Sequence, residues 1–524
     1  MQEYVHTEDL SALYAEITKE RGKPFDAWEI SALLEIYGLR DIDAQEEYHF
    51  QDIFDMGKYL EKYINAQTYP EKTLTTEKVP PFSTRIWKNY VKGLAFAMPM
   101  FIQIFFTVVI GYAIWSGINV DEAKATAIAL GTFAALIVTG ASAQAVGRKG
   151  LFYIKQEEYV LAANVTKVLI NTGFVLVLIV GIIFVAINFF FDVLPAYYFW
   201  ILIMFYFLLS NFFLNVAIYY MFEEYAHITY FVLFGVFLTY IFHGILKVQL
   251  PDAQFYGLII LDIVISLFAY RKIEKLKSDT VSEGEVSPRA SILFYSLIPF
   301  YLYGFLYFTF LLADRLISWS TNVEAKPYFI WFNVPYEVGL DWALVALVLM
   351  MGFTEVSIYE FMYRINKTVF IYRYNNYKEF KNEIYSFFKK FNIVFIIFSI
   401  IIIIVVYFVI YIAFKMTDYA YLAIFFHSFT PYVYWIAAVA YAFLVNGLMN
   451  ILFIFSFSRQ YFSVKSMFYA TIANIIVGML LSRALGLEYA VFGLLVGSIV
   501  FWYFSFKYIK QMFRDLEFYY YSAF

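Results

Sequence analysis

An acidic and a basic residue stand side by side at the end of a long apolar stretch, in the motif Asp314-Arg315-Leu316-Ile317-Ser318-Trp319. Neighbouring helical residues point about 100° apart, so we expect Asp314 and Arg315 not to pair with each other. A charge near a membrane boundary needs a partner, water or a lipid headgroup. The motif therefore predicts either an interfacial charge pair with a tryptophan anchor or one wall of a transport cavity.

The same stretch carries three tyrosines at helical spacing, Tyr301, Tyr303 and Tyr307. Tyr303 and Tyr307 share a helical face with Asp314, whereas Tyr301 shares the next face with Arg315. Rings at these positions either pack as an ordinary aromatic core or line a cavity. The spacing alone leaves both interpretations open.

Three further acids lie inside apolar stretches, where an ionisable group is costly and is by default a functional candidate. Asp262 interrupts the run from Gly257 to Leu267. It could bind a proton or a cation, or it could hold a neighbouring helix by hydrogen bonding.

Glu355 has no base one turn away, whereas Glu360 lies four residues before Arg364 and is expected to pair with it. Glu355 is therefore the better functional candidate of these two glutamates.

Two asparagine pairs repeat the spacing of one helical turn, Asn211 with Asn215 and Asn446 with Asn450. Such amides could hydrogen-bond sugars, or they could hold helices together. The histidines are scattered without metal-ligand spacing, so we expect neither a metal site nor another cofactor.

These residues must be positioned by helices in a membrane. The chain has 524 residues, of which 62% are hydrophobic and 15% charged, and its mean hydropathy is +0.66. Its apolar runs are long enough to span a bilayer, which predicts an all-α integral membrane protein. A net charge of −4 without a basic domain argues against nucleic-acid binding. With no cysteine, thiol chemistry is excluded. We find no phosphate-binding loop and no catalytic constellation, so neither an ATP-driven pump nor an enzyme is expected.

The apolar runs predict about twelve transmembrane helices in two six-helix repeats. The predicted spans are 94–115, 125–146, 168–191, 197–221, 228–246 and 255–270, then 291–313, 342–362, 391–414, 432–456, 466–482 and 489–508. The corresponding domains are an extension over 1–82, bundles over 83–271 and 291–510, a linker over 272–290 and a tail over 511–524.

The basic residues fall mostly on one side of this topology, which predicts both termini on the cytoplasmic side of the cytoplasmic membrane. Six plus six spans in this orientation suggest parallel repeats around a central cavity. The basic connections 147–166 and 363–390 are expected to be helices lying at or below the membrane interface.

The polar N-terminal extension is predicted to be a small helical cytoplasmic segment. Asp26-Ala27-Trp28-Glu29 fits a capping box, and the helix that it opens should end at Gly38. Flanking helices are expected near Asp9–Arg21 and Ala44–Ile64. The extension would act either as a solubilising cap or as a docking module for a cytoplasmic partner.

The chain resembles the multidrug/oligosaccharidyl-lipid/polysaccharide (MOP) exporter superfamily, and within it most closely the membrane subunit of Pel-type exopolysaccharide export. The resemblance covers roughly residues 85–520 and excludes the extension. It depends on the six-plus-six layout, on the acid–base–aromatic motif that begins at Asp314, and on Glu355, Tyr359 and Glu360 before a basic connection. That family more often has lysine where this chain has Arg315.

The resemblance implies a MATE-like fold and export of a polysaccharide or lipid-linked glycan, by a flippase or a channel mechanism, as in biofilm formation. A cytoplasmic glycosyltransferase and other membrane subunits of a synthase complex would be its partners. Tyr301, Tyr303 and Tyr307 would stack on sugar faces. The polar side chains of Asp314, Arg315, Glu355 and the asparagine pairs would bind the sugar hydroxyls.

Three alternatives remain. One is the cation-coupled drug-efflux branch of the same superfamily, in which Asp262 would be the coupling site. Another is a membrane glycan polymerase or ligase, which is disfavoured because the longest outer loop, Ser318–Leu340, has Lys326 as its one basic residue. The third is a scaffold that does not transport, which leaves the intramembrane polar groups unexplained.

Overall fold

The computed structural model of the chain describes residues 26–36, 38–66, 80–117, 120–278, 289–321, 330–369, 377–416, 420–426 and 428–521. Within these ranges the regular structure is helical, apart from one isolated antiparallel bridge between Tyr112 and Gly117. The chain divides into two compact units, residues 1–85 with 368–377, and residues 86–367 with 378–524.

Residues 26–36 and 38–66, the part of the first unit that is described before residue 80, form three short helices, α1 Ala27–Ile36, α2 Asp41–Glu46 and α3 Ile53–Ala66. Asp26 caps α1, since its Oδ1 accepts the Glu29 N–H at 2.9 Å. Gly38 follows this helix with a φ of +92°, as expected of a C-terminal glycine. The small core is apolar and contains Ile30, Leu33, Leu34, Ala44, Ile53, Met56 and Leu60.

The prediction of one helix over Ala44–Ile64 is wrong, because the chain turns between α2 and α3. His49 adopts a φ of +60°, which ends helical geometry at this point. Asp52 then caps α3 by accepting the Asp55 N–H at 2.6 Å. The predicted helix Asp9–Arg21 lies outside the described residues.

In the described ranges, twelve helices are long and apolar enough to cross a membrane, which confirms the predicted fold class. The first six are α4 Phe82–Ile110, α5 Glu122–Lys155, α6 Tyr159–Phe191, α7 Ala196–Met221, α8 Tyr225–Thr239 with its π-helical continuation Tyr240–Ile245, and α9 Leu250–Ser278. The second six are α10 Ala290–Trp319, α11 Val334–Val369, α12 Tyr377–Met416, α14 Thr430–Ser456, α15 Gln460–Leu485 and α16 Val491–Arg514. The short helices α13 Ala420–Phe425 and α17 Leu516–Tyr521 accompany them.

We call α4–α9 the first lobe and α10–α16 the second lobe. In the first lobe α5 packs against α6 and α7, and α9 packs against α7 and α8. In the second lobe α16 packs against α14 and α15, while α10 packs against α15. The end of the bundle where α4 begins and α16 ends is called the basic end, and the opposite end, where α4 and α10 end, is called the far end.

Several predicted boundaries differ from the structure. The first span stops at Ile110 rather than at residue 115, because Gly111 has a φ of +89° and the chain reverses there. The predicted interfacial helix over 147–166 is wrong: α5 continues to Lys155 and α6 begins at Tyr159. In the second lobe, α11 likewise continues to Val369 and α12 begins at Tyr377, so the described parts of 363–390 belong to spanning helices.

The two lobes meet at two helix crossings, each formed by a pair of glycines. A Cβ placed on Gly304 of α10 would lie 2.3 Å from the carbonyl oxygen of Gly140 on α5. A Cβ placed on Gly93 of α4 would lie 2.9 Å from the Cα of Gly352 on α11. Only residues without a side chain allow backbones to approach so closely. These crossings define the interface between the lobes.

Candidate functional site

The acid–base motif at the end of α10 belongs to a buried charged network at the far end. Arg315 forms an ion pair with Glu337 of α11, and the indole Nε1 of Trp319 donates to Glu337 Oε1 at 2.9 Å. Asp341 lies 3.7 Å from Arg315. Asp314 instead accepts a 3.0 Å hydrogen bond from the Tyr336 hydroxyl. Asp314 and Arg315 thus have different partners, as the helical geometry predicts.

This network is almost completely removed from solvent. The exposed fraction is 0% for Asp314, 8% for Arg315 and 5% for Glu337. Separating a buried ion pair leaves an uncompensated charge, so the network fixes α11 against α10. In the described part of the chain, Asp314 Oδ1 has no hydrogen-bond partner.

Glu337 and Tyr336 were missed by the sequence analysis, which placed both in an outer loop. A signal was present, because Asn333 followed by Pro335 is typical of a helix N-terminus. Asn333 Oδ1 accepts the backbone N–H of Tyr336 at 3.0 Å. The helix therefore begins at Val334 and brings Glu337 within reach of Arg315.

The network also lies beside the contact between the lobes. The rings of Phe133 on α5 and Trp319 on α10 stack with centroids 5.1 Å apart. Trp331 Nε1 donates to Glu122 Oε2 at 2.9 Å, and the Phe332 N–H donates to Thr126 Oγ1 at 3.0 Å. The far end of the interface is therefore held together by both aromatic and polar contacts.

The predicted tyrosines follow α10 from the basic end towards the charged network. Tyr303 and Tyr307 stack with centroids 6.3 Å apart and an interplanar angle of 23°. Tyr303 is buried, whereas Tyr307 is half-buried. Tyr301 packs against the core of the first lobe, and its hydroxyl has no hydrogen-bond partner within the described ranges. The side of α10 that meets the first lobe carries Gly304 and Phe308, which contact Gly140. Tyr303 packs edge to face on Phe455 of α14 in its own lobe, with centroids 5.4 Å apart.

Glu355 lies at the basic end of the same interface, away from the charged network. Its Oε1 is 2.9 Å from the Lys92 ammonium of α4, which is also 3.1 Å from Glu223. Near this ion pair the Tyr90 hydroxyl donates to the Leu349 carbonyl at 3.1 Å. The partner of Glu355 thus comes from the other lobe, not from its own helix.

The asparagine pairs lie within the lobes. In each pair at least one asparagine donates a hydrogen bond to a serine of another helix. Asn211 and Asn215 of α7 both donate to Ser266 of α9, at 3.2 Å and 3.0 Å. Asn450 of α14 donates to Ser505 of α16 at 3.2 Å. The same pairing of the fourth and sixth span of each lobe supports helix–helix packing as the role of these amides.

Asp262 lies one helical turn before Ser266 and next to the first-lobe asparagines. Its exposed fraction is 5%, and neither carboxylate oxygen has a hydrogen-bond partner among the residues that the structure describes. One turn before Ser505 the second lobe carries Phe501, which packs against Gly447. The acid is therefore particular to the first lobe, and it could hold a proton or a small cation.

The predicted site residues thus occupy several places rather than one. Asp314, Arg315 and the tyrosines share α10. Glu355 lies across the lobe contact at the basic end, and Asp262 with the asparagines lies inside the lobes. Within the described ranges, no three of the acidic and histidine side chains are placed to hold a metal ion.

No protein-family model and no curated protein matches this sequence. Similar folds are found among solved MATE transporters. An aspartate-to-asparagine mutant of a Vibrio cholerae MATE transporter is 12% identical, with 84% of this chain and 98% of that chain covered and a TM-score of 0.58. An inward-facing multidrug-resistance MATE transporter of the MOP superfamily is also 12% identical, with 82% and 99% covered and a TM-score of 0.56. An outward-facing multidrug-resistance MATE transporter of the MOP superfamily is 13% identical, with 84% of this chain and 97% of that chain covered and a TM-score of 0.55.

These similarities establish the fold. The chain is a multi-pass α-helical membrane protein with the architecture of the MATE transporters. At this level of identity the likeness does not extend to the substrate.

Proposed function

We propose that the protein exports a polysaccharide or a lipid-linked glycan across the cytoplasmic membrane, with its basic end and both termini in the cytoplasm. The substrate would pass between the two lobes as their contacts open and close in turn. A cytoplasmic glycosyltransferase would supply the glycan, and the N-terminal extension would serve as its docking module.

The observation that carries this proposal is the run of aromatic side chains on α10, the helix that crosses α5 of the other lobe. Tyr303 and Tyr307 stack along this helix, and Tyr307 remains partly exposed. Aromatic faces attract the C–H faces of sugar rings, while nearby hydroxyl groups can exchange hydrogen bonds with sugar hydroxyls.

A gene deletion tests this proposal directly. Secreted polysaccharide and polysaccharide retained inside the cell are measured together. Loss outside, with accumulation or stalled synthesis inside, is the expected result. Complementation with Tyr307→Ala should lower export by up to about tenfold, since one aromatic contact is worth about 0.5–1.5 kcal/mol. Tyr307→Phe should retain export.

The matched control is Tyr295→Ala, which removes a ring from the same helix at a position that is 79% exposed. This variant should export normally. Unchanged secretion in the deletion strain would contradict the export proposal, and equal losses in Tyr307→Ala and Tyr295→Ala would remove the role given to Tyr307.

A second candidate function is cation-coupled efflux of small organic molecules, and Asp262 is the observation that favours it. A buried carboxylate that lies beside the amide of Asn211 and, within the described ranges, has no basic side chain as a partner is suited to bind a proton or sodium ion. In proteoliposomes with an imposed proton or sodium gradient, Asp262→Asn should abolish uptake of tetraphenylphosphonium. Asp252→Asn, in the exposed first turn of the same helix, is the control. A fully active Asp262→Asn protein would count against this function.

A further inference from the structure

A cavity of about 420 Å³ opens at the far end of the first lobe, separate from the residues discussed above. Its walls come from the end of α4, the loop before α5, the π-helical end of α8 and the start of α9. The polar and aromatic side chains that line it are Tyr112, Asp121, Lys124, His243 and Gln249. This volume suits one or two sugar rings.

One wall of the cavity is a tightly held turn. The Ala113 N–H donates to the Ser116 carbonyl at 2.8 Å, and Gln254 Nε2 donates to both of their carbonyls at 2.9 Å and 2.8 Å. Gln103 Oε1 accepts the Ile114 N–H at 3.2 Å. Two buried glutamine side chains therefore fix the loop that carries Tyr112, so this wall is formed before any ligand arrives.

The adjoining wall depends on the π-helical segment Tyr240–Ile245. Segments of this kind are rare and are frequently found at functional sites. His243 lies in it, and its Nδ1 is 2.9 Å from the Val248 carbonyl. Because a carbonyl only accepts, Nδ1 carries a proton and donates this hydrogen bond. The ring of Tyr112 meets that of His243 edge to face, with centroids 5.0 Å apart.

The lining chemistry matches a neutral, hydroxylated ligand. Asp121 contributes an acceptor and Lys124 a donor, and their charges cancel. Gln249 and the Tyr112 hydroxyl can both donate and accept. An apolar ligand would leave these groups without partners.

The cavity also lies next to the mouth of the lobe interface. Glu122, the residue after Asp121, accepts the hydrogen bond from Trp331 of the second lobe. A chain emerging between the lobes at the far end would meet this cavity. We infer that the cavity is a saccharide-binding subsite that holds a neutral sugar unit of the glycan as it leaves. The ligand class rests on the glycan export proposed above.

The experiment is saturation-transfer difference NMR on the purified full-length protein in nanodiscs. The probes are cellobiose, maltose and N,N′-diacetylchitobiose. At least one should give saturation transfer in the wild type. The signal should fall at least fivefold in Val120→Trp, which fills the cavity, and in Gln249→Ala, which removes a polar group. The matched control is Tyr432→Leu, which removes a half-exposed far-end ring from the second lobe and should leave the signal unchanged.

Two results would overturn the subsite: no saturation transfer with any of the three sugars, or equal signals in Val120→Trp and the wild type. Circular dichroism and gel filtration establish that each variant is folded, and the two cavity variants act at different positions. The binding experiment and the deletion experiment can fail separately. Normal secretion in the deletion strain would refute glycan export, even if sugars bind to the cavity. An export defect in the deletion strain, together with unchanged sugar binding in the cavity variants, would support export and refute the subsite.

Discussion

Gly304→Ala places a methyl group into the crossing of α5 and α10. The new Cβ would lie 2.3 Å from the Gly140 carbonyl oxygen and 2.8 Å from its carbonyl carbon. Both are backbone atoms, so a rotamer change cannot relieve the overlap. The two helices must therefore separate by about 1 Å, and overpacking of this kind costs about 1–3 kcal/mol. This corresponds to a shift of about 5- to 150-fold in favour of conformations in which the crossing is open.

The absence of native cysteines makes the shift directly measurable by double electron–electron resonance. Spin labels at Asp192→Cys and Ala484→Cys occupy exposed positions at the far ends of the two lobes. Gly304→Ala should add or enlarge a longer-distance component. The control is Gly147→Ala on α5, where an added Cβ meets nothing within 4 Å. If Gly304→Ala has the same distances and thermal stability as the control, the close crossing and the reasoning from it are wrong.

Three further predictions concern stability. Glu337→Gln combined with Asp341→Asn removes both carboxylates that pair with buried Arg315 and should destabilise the protein by about 3–5 kcal/mol, measured by thermal unfolding. Adding Arg315→Met should recover most of the loss, and a mild effect of the two acid substitutions together would contradict a buried charge. Asn215→Leu removes the bond to Ser266 and should cost about 0.6–1.7 kcal/mol in the same assay, whereas an unchanged melting temperature would show that the bond contributes nothing. Asp26→Ala removes the α1 cap at a cost of about 0.5–2 kcal/mol, so residues 27–36 should exchange amide hydrogens faster, and unaltered exchange would refute the cap.

The number and type of spanning helices could be predicted from sequence because the bilayer fixes the length of each apolar run. The separate partners of Asp314 and Arg315 also followed from helical geometry. The identity of those partners did not, since Glu337 lies in a stretch that hydropathy assigns to a loop. Only the cap at Asn333 reveals that the helix starts early enough to include it.

Contacts between helices that are distant in the sequence could not be predicted from it either. Glu355 has no base nearby in sequence because its partner, Lys92, comes from the other lobe. The cavity around Tyr112 and His243 depends on a π-helical segment and on a turn held by two glutamines. The pattern of apolar residues in the sequence predicts neither of these features. Hydropathy likewise does not distinguish a helix at the membrane interface from the extended end of a spanning helix, which explains the incorrect prediction over 147–166.

The two glycine crossings have a consequence for how the halves recognise each other. The first span of one lobe meets the second span of the other lobe, and the reverse contact also occurs: α4 with α11, and α10 with α5. Such reciprocity is the mark of an isologous interface, as in a two-fold symmetric dimer. The two six-helix halves therefore meet through equivalent spans, in the arrangement that two copies of one half would have in a two-fold symmetric dimer.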